Sequence, residues 1–205
     1  MSDLTPEEAA RHKAKMAKRK AAQDAEVASK AIACKGLLIV HTGQGKGKST
    51  AAFGLLLRAL GRGWHAGVVQ FIKGAWETGE RKALERFGDL LIWRSMGEGF
   101  TWETQDRARD IAAAQAAFTV ALEMMADPSI RLVILDELNI ALRYGYLPLD
   151  EVLAALLSRR PELHVVVTGR NAKPELIESA DLVTEMSLVK HHFAAGVRAQ
   201  EGIEF

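Results

Sequence analysis

The residues best suited to chemistry form a glycine-rich run after a short apolar stretch. Residues 42–50 read TGQGKGKST and match the phosphate-binding pattern G-x-x-x-x-G-K-[ST], except that Thr42 stands where a glycine is usual. In this pattern backbone N–H groups and a lysine contact phosphate oxygens, and a hydroxyl binds Mg²⁺. The loop therefore predicts binding of ATP with Mg²⁺, with the dipole of the next helix assisting. The expected ATP contacts are Thr42, Gly43, Gln44, Gly45, Lys46, Gly47, Lys48, Ser49 and Thr50.

A pair of carboxylates further along the chain complements this loop. Residues 131–137 read RLVILDE, so an apolar strand pattern ends in Asp136 and Glu137. This is the Walker B pattern, in which a carboxylate holds Mg²⁺ directly or through water. An acidic pair at a helix N-terminus would give the same letters. The phosphate loop upstream favours the metal role.

The elements that must position these residues alternate between strand and helix patterns from residue 36 onward. This order predicts an α/β fold, a mostly parallel sheet with helices on both faces, like the P-loop NTPases. The ATP site is then expected at the carboxyl ends of the strands. The predicted strands are 36–41, 65–72, 90–94, 132–135, 164–167 and 182–186, and the predicted helices are 48–61, 79–87, 103–125, 149–158 and 174–179.

Residues 1–35 have a different character, with eight basic and five acidic side chains among many alanines. The run Thr5–Glu8 reads TPEE, a capping box with proline at the first helical position, so a helix is expected to follow. Its apolar stripe is thin, and two interpretations remain. The segment is either a solvated arm or a lid or partner-binding arm that orders on binding. The predicted division is a charged helical arm, 1–35, and a phosphate-loop domain, 36–205.

Composition excludes several classes of protein. The net charge is +1, and no nucleic-acid motif is recognisable beyond the basic arm, so a nucleic-acid partner is not expected. The chain lacks the long apolar run of a membrane span and the apolar core of a signal peptide. Cys34 is its only cysteine and is expected to be inert. These features favour a cytoplasmic protein with no membrane partner.

Further segments identify a family when they are taken together with the loop and the carboxylates. The sequence resembles the ATP:corrinoid adenosyltransferases of the phosphate-loop type, which act on cob(I)alamin or cob(I)yrinic acid a,c-diamide. The resemblance covers the chain from residue 36 to the end, and only the character of the arm matches before that. The matching segments are HTGQGKGKSTAAFG (41–54), GVVQFIKG (67–74), GFTWETQ (99–105), LVILDEL (132–138), YLPLDE (146–151), VTGR (167–170) and VKHHFAAGVRAQEGIEF (189–205).

The resemblance implies a reaction. A corrinoid substrate whose cobalt is reduced to Co(I) attacks the 5′ carbon of ATP, a cobalt–carbon bond forms, and triphosphate leaves. The product belongs to adenosylcobalamin biosynthesis or salvage. Because the nucleophile is the corrinoid's cobalt, no Ser-His or Cys-His pair is required.

The resemblance also implies roles for individual residues. Lys48 neutralises charge on the departing triphosphate, and Phe100 and Trp102 pack against the lower face of the corrin, where they exclude water and a lower axial ligand. Ser49 and Glu137 are the expected metal ligands, with Asp136 acting behind them or through water. Arg58 and Arg170 are further phosphate candidates. His191 and His192 are expected to be surface or packing histidines, since a histidine ligand would oppose the four-coordinate cobalt. His41, at the end of the first predicted strand, is expected to be a packing residue.

Two other functions compete with this interpretation. A conventional phosphate-loop NTPase or kinase would yield ADP or a phosphorylated product, and a nucleic-acid-associated module would show stimulated ATP turnover and salt-sensitive binding. The segments matched outside the loop favour the adenosyltransferase. The family also implies a flavoprotein reductant and a homodimer. Mg²⁺ and Mn²⁺ both suit the oxygen ligands, and the preferred corrinoid stays undetermined.

Overall fold

The chain forms two compact units, Met1–Lys35 and Gly36–Phe205. The helix α1 (Pro6–Ala28) lies in the first unit. The computed structural model describes residues 5–31, 34–72, 78–97 and 106–204. At the start of α1 the Glu8 N–H donates to the Thr5 hydroxyl at 3.3 Å, and the Thr5 N–H donates to the Glu8 carboxylate at 2.9 Å. The predicted capping box is therefore confirmed.

The second unit is built on a six-stranded sheet with the order β3-β2-β4-β5-β1-β6. Every strand pair in it is parallel, which confirms the predicted α/β fold with a parallel sheet. The strands β4 and β5 are inserted between β2 and β1, so the first strand and the carboxylate-bearing strand are both interior strands. The strands are β1 (Leu38–Thr42), β2 (His65–Gln70), β3 (Leu91–Ser95), β4 (Ile130–Asp136), β5 (His164–Thr168) and β6 (Leu182–Glu185).

Helices cover both faces of the sheet, and alternate residues of each central strand enter opposite cores. In β4, Val133 and Leu135 belong to one buried cluster and Leu132 and Ile134 to the other. Strands buried on both faces read as continuous apolar runs, as this one does. The helices are α2 (Lys48–Leu60), α3 (Gly79–Leu84), α4 (Arg107–Ala126), α5 (Leu138–Arg143), α6 (Leu149–Leu157) and α7 (Pro174–Ser179).

The observed elements differ from the predicted ones at several boundaries. The helix predicted over 79–87 ends at Leu84 and continues as a 3₁₀ segment, Glu85–Leu90, because Gly88 has a φ of 55° and breaks the regular turn. The short helix α5 was not predicted, since six residues are too few to show a period. The start of the helix predicted at 103 lies outside the described residues. None of the described helices is long and apolar enough to cross a bilayer.

Candidate active site

The phosphate loop leaves the carboxyl end of β1 and enters α2. Gly43 has a φ of 93°, and a Cβ there would lie 2.5 Å from the Met186 carbonyl oxygen, so only glycine fits this turn. Gly47 has a φ of 102° and caps α2. Thr42 is still a strand residue, which explains why the loop tolerates it. Its hydroxyl accepts a hydrogen bond from the Ala172 N–H at 3.1 Å.

Lys48 is held within the curl of the loop. Its ammonium donates to the Gly43 carbonyl at 3.0 Å and to the Gly45 carbonyl, and the side chain is buried. Burial lowers the pKa of Lys48; the Glu137 carboxylate opposes this, whereas the nearby charges of Arg170 and Lys46 add to it. Lys48 is therefore a desolvated cation at the start of a helix, positioned to meet an anion.

Asp136 is the centre of a hydrogen-bonded network below the loop. It is fully buried at the end of β4, and its Oδ1 accepts from the Ser49 hydroxyl at 2.7 Å and the Thr168 hydroxyl at 2.8 Å. Its Oδ2 accepts from the Gln70 amide at 3.0 Å. Gln70 is fixed in turn, because its Oε1 accepts from Trp93 Nε1 at 3.1 Å. Residues of β2, β5 and α2 therefore donate directly to this carboxylate, and a residue of β3 fixes one of the donors.

This network orients the hydroxyl of Ser49. Because Ser49 donates its proton to Asp136, the lone pairs of the Ser49 oxygen remain for a cation. The donor set is a hydroxyl and carboxylate oxygens, the chemistry that suits a hard cation such as Mg²⁺. No group of three acidic, histidine or cysteine side chains forms a metal cage among the residues in the described ranges. Mg²⁺ commonly binds through one or two side chains with water and phosphate oxygens completing its shell.

Glu137 turns away from Asp136 because its backbone is left-handed, with φ 65° and ψ 20°. Its N–H donates to the Thr168 hydroxyl at 2.9 Å, which joins it to the Asp136 network. A Cβ at Gly169 would lie 2.9 Å from Glu137 Oε2 and 2.8 Å from Asn139 Cβ, so a side chain there would displace the carboxylate. Gly169 therefore leaves room for Glu137, which lines the cavity beside the loop.

A cavity of about 400 Å³ lies at the carboxyl edge of the sheet and collects most of the predicted residues. Gln44 is held nearby, since its amide donates to the Asn171 side chain at 2.7 Å. Asp136 acts on the cavity through Ser49, which lines the cavity and donates its hydroxyl proton to the Asp136 carboxylate. The predicted residues that line the cavity are Gly45, Lys46, Gly47, Lys48, Ser49, Thr50, Glu137 and Arg170.

Comparison with known proteins identifies the family to which this site belongs. Residues 34–205 match the family model described as ATP:corrinoid adenosyltransferase BtuR/CobO/CobP, and residues 1–27 match the one described as cob(I)alamin adenosyltransferase N terminal. The chain belongs to the ATP:corrinoid adenosyltransferase family. It is an enzyme that transfers the adenosyl group of ATP to the Co(I) centre of a corrinoid and releases triphosphate.

Similar curated proteins cover almost the whole chain. A corrinoid adenosyltransferase of Pseudomonas aeruginosa is 57% identical over 201 residues, 98% of either chain. One from a Sinorhizobium species is 56% identical over 198 residues, 96% of this chain and 92% of the relative. The corrinoid adenosyltransferase CobA of Salmonella typhimurium is 49% identical over 171 residues, 83% of this chain and 86% of the relative.

Some residues expected in the adenosyltransferase site are not at the cavity or lie outside the described ranges. Arg58 is in the last turn of α2 and lines a second cavity, because a helix advances about 1.5 Å per residue and takes it roughly 15 Å from Lys48. Phe100 and Trp102 lie outside the described residues. His41 is buried, with its Nδ1 3.3 Å from the Lys48 carbonyl oxygen.

The cavity of the adenosyltransferase also contains residues that sequence reasoning missed. Arg143 and Tyr144 reach it from the end of α5, the helix that the sequence did not reveal. Ile203 and Glu204 reach it from the C-terminal segment. The family resemblance included that segment as a matching run, and Glu204, one of its two acidic residues and the one that follows an isoleucine, was the available signal.

Proposed function

We propose that the cavity at the carboxyl edge of the sheet binds the triphosphate of ATP. The observation that carries this proposal is the network that joins Ser49 and Thr168 to Asp136 next to Lys48. Backbone N–H groups of 43–49, other than that of Gly45, which donates to the Met186 carbonyl, and the Lys48 ammonium then stabilise the negative charge that the leaving triphosphate gains. Arg170, which lines the same cavity, adds a second positive charge.

Ser49 and Glu137 are the proposed protein ligands of a divalent cation, Mg²⁺ or Mn²⁺. Asp136 is proposed to act behind Ser49, because its own oxygens already accept hydrogen bonds from three side chains. A bound cation would supply charge neutralisation for the triphosphate. The oxygen-only donor set supports either ion and does not select between them.

Phe100 and Trp102 are proposed to form the corrinoid-binding surface. The family resemblance supports this role, together with the position of the residues that precede them. Gly97, the last described residue before that segment, follows the carboxyl end of β3. A Cβ on Gly97 would lie 2.3 Å from the Ile72 backbone, and Ile72 lines the cavity. The segment therefore begins next to the proposed ATP site.

The assembly and surroundings of the enzyme are part of the same proposal. A homodimer and a flavoprotein reductant are inferred from the family, and a cytoplasmic location is supported by a single, exposed, unpaired cysteine, Cys34. Light scattering on the purified protein measures the mass of the particle. Replacing a chemical reductant by reduced flavodoxin tests the electron donor.

The decisive experiment is an anaerobic reaction of the protein with ATP, Mg²⁺ and chemically reduced cob(I)alamin. A light-sensitive adenosylcorrinoid and one triphosphate per turnover are the expected products. Formation of ADP and phosphate with unchanged corrinoid would contradict the proposed arrangement at the loop. Repeating the reaction with Glu137→Gln tests the cation ligand, and the expected result is a higher requirement for Mg²⁺.

A further inference from the structure

The C-terminal segment returns to the phosphate loop after the sheet is complete. Just after β6, the Met186 carbonyl accepts a hydrogen bond from the Gly45 N–H at 2.6 Å. The chain then forms a short 3₁₀ turn, His192–Ala195, and brings Ile203 and Glu204 to the wall of the cavity. The segment is thus part of the surroundings of the triphosphate site.

Glu204 forms an ion pair with Lys46 and a second polar contact with His192. Its Oε2 contacts the Lys46 ammonium, and its Oε1 lies 2.8 Å from His192 Nε2. The Glu204 side chain is 15% exposed, so it is held and not simply solvated. The hydrogen bond from Lys46 lowers the pKa of the Glu204 carboxyl, and the group is therefore an anion at neutral pH.

A carboxylate is an unexpected neighbour for a site that receives triphosphate. Like charges at short range repel, and a carboxylate uses the same kind of cationic donor that a phosphate oxygen uses. Lys46 belongs to the loop and lines the cavity. One ammonium group is consequently within reach of two alternative anions, the Glu204 carboxylate and a phosphate oxygen.

We propose that Glu204 competes with triphosphate for Lys46 and thereby limits how tightly the enzyme holds ATP and the released triphosphate. This inference rests on the proposed binding of triphosphate at the loop. When the C5′–O bond breaks, the oxygen keeps the bonding electron pair, so the leaving triphosphate carries one more negative charge than it did in ATP. An internal anion that recaptures Lys46 assists the departure of this product.

The first test measures binding of inorganic triphosphate and of MgATP to Glu204→Gln by calorimetry, without corrinoid. The Lys46 side chain of this ion pair is half exposed, and such pairs contribute modestly, so the expected result is about two- to fivefold tighter binding of triphosphate. Inhibition of turnover by added triphosphate should strengthen by a similar factor. Glu201→Gln is the matched control, because it removes an exposed carboxylate from the same segment, and unchanged binding is expected.

A double-mutant cycle with Lys46→Gln separates competition from other effects. If Glu204 acts through Lys46, Glu204→Gln has no effect on triphosphate binding once Lys46 is replaced. An equal gain in the Lys46→Gln background would show general charge repulsion and overturn the proposal. Weaker binding by Glu204→Gln would also overturn it, because Glu204 would then be positioning Lys46 for phosphate.

A second variant guards against an indirect effect on the C-terminal segment. His192→Asn keeps the Glu204 carboxylate and removes one of the groups that hold it, so a smaller gain in the same direction is expected. Unchanged affinities in Glu204→Gln with normal turnover would reject the competition alone. Failure of the wild-type protein to bind triphosphate would reject both the competition and the proposed site.

Discussion

In the described part of the protein, cavities of similar size lie at the two opposite ends of the parallel strands. The first, of about 400 Å³, lies where the strands end and contains Lys48, Ser49 and Glu137. The second, of about 340 Å³, lies where the strands begin, and its lining is almost entirely apolar. Its wall includes Trp64 and His164, whose rings stack with centroids 5.6 Å apart.

Helix α2 shows why the two edges differ. It begins at Lys48 with its N-terminus at the first cavity and ends near Arg58 at the second. Its unpaired N–H groups and positive dipole end therefore favour an anion at one edge only. In a parallel sheet every strand ends at the same edge, so the polar side chains that follow the strands converge there. The direction of the strands and of α2, and not the volume of the cavity, therefore determines which cavity can bind an anion.

The largest expected effect on turnover comes from replacing Lys48, which tests the difference between the two ends of α2. Lys48→Met is expected to lower kcat about 100- to 1000-fold, because the variant loses a buried positive charge at the leaving triphosphate. The measurement is anaerobic formation of adenosylcorrinoid. Arg58→Met is the matched control on the same helix, and its KM for ATP is expected to stay unchanged. A large rise in that KM would show that Arg58 reaches the nucleotide.

Truncating a side chain at the apolar cavity is expected to affect stability and not binding. Leu132 is 4% exposed, so Leu132→Ala should lower the free energy of unfolding by about 2–5 kcal/mol. Denaturant unfolding measures this loss, and the KM for ATP should be unchanged. Leu57→Ala, at an exposed position of α2, is the control with a cost below about 0.5 kcal/mol. A raised KM in Leu132→Ala would link the two cavities.

Asp136→Asn tests the network behind Ser49. The amide cannot accept hydrogen bonds at both positions as the carboxylate does, so the Ser49 hydroxyl loses its fixed orientation. We expect a loss of about 10- to 100-fold in affinity for the divalent cation in the presence of ATP. Binding of Mn²⁺ followed by paramagnetic resonance measures it. Asp89→Asn, at an exposed position, should bind Mn²⁺ like the wild type, and equal affinity in Asp136→Asn would contradict the role.

The smallest expected effect is a change in the free energy of unfolding when the pH is lowered, caused by His164 at the apolar cavity. Burial lowers the pKa of His164 below its ordinary value of 6.5, and the charges of Arg131 and Arg159 act in the same direction. The unfolded chain therefore takes up the proton first as the pH falls, and the free energy of unfolding should decrease below about pH 6.5.

His164→Gln is expected to remove part of this decrease, although it also costs about 1 kcal/mol through the lost hydrogen bond from the Leu37 N–H. Unfolding curves at several pH values, for the wild type and the variant, make the comparison. An exposed histidine at position 12 supplies the control, His12→Gln. Identical pH dependence in the wild type and His164→Gln would show that His164 does not titrate as described.

The sequence predicted the parts of the site that depend on local pattern. The glycines of the loop and the carboxylates at the end of β4 have fixed spacing, and the alternation of strand and helix patterns predicted the parallel sheet. Arg58 was expected at the nucleotide because it follows the loop closely in sequence, but helical rise separates the two. Glu204 could not be placed, since 158 residues separate it from Lys46 and no local pattern joins them.

Glu137 has a consequence for how the protein could evolve. A non-glycine residue in a left-handed backbone conformation costs roughly 1 kcal/mol or more, whereas asparagine tolerates that conformation better. Glu137→Asn is therefore expected to raise the melting temperature while it removes the carboxylate from the cavity and lowers turnover. Directed evolution for heat resistance alone would favour such a change. At Glu137, the residue that gives the higher melting temperature is therefore not the residue that gives the higher turnover.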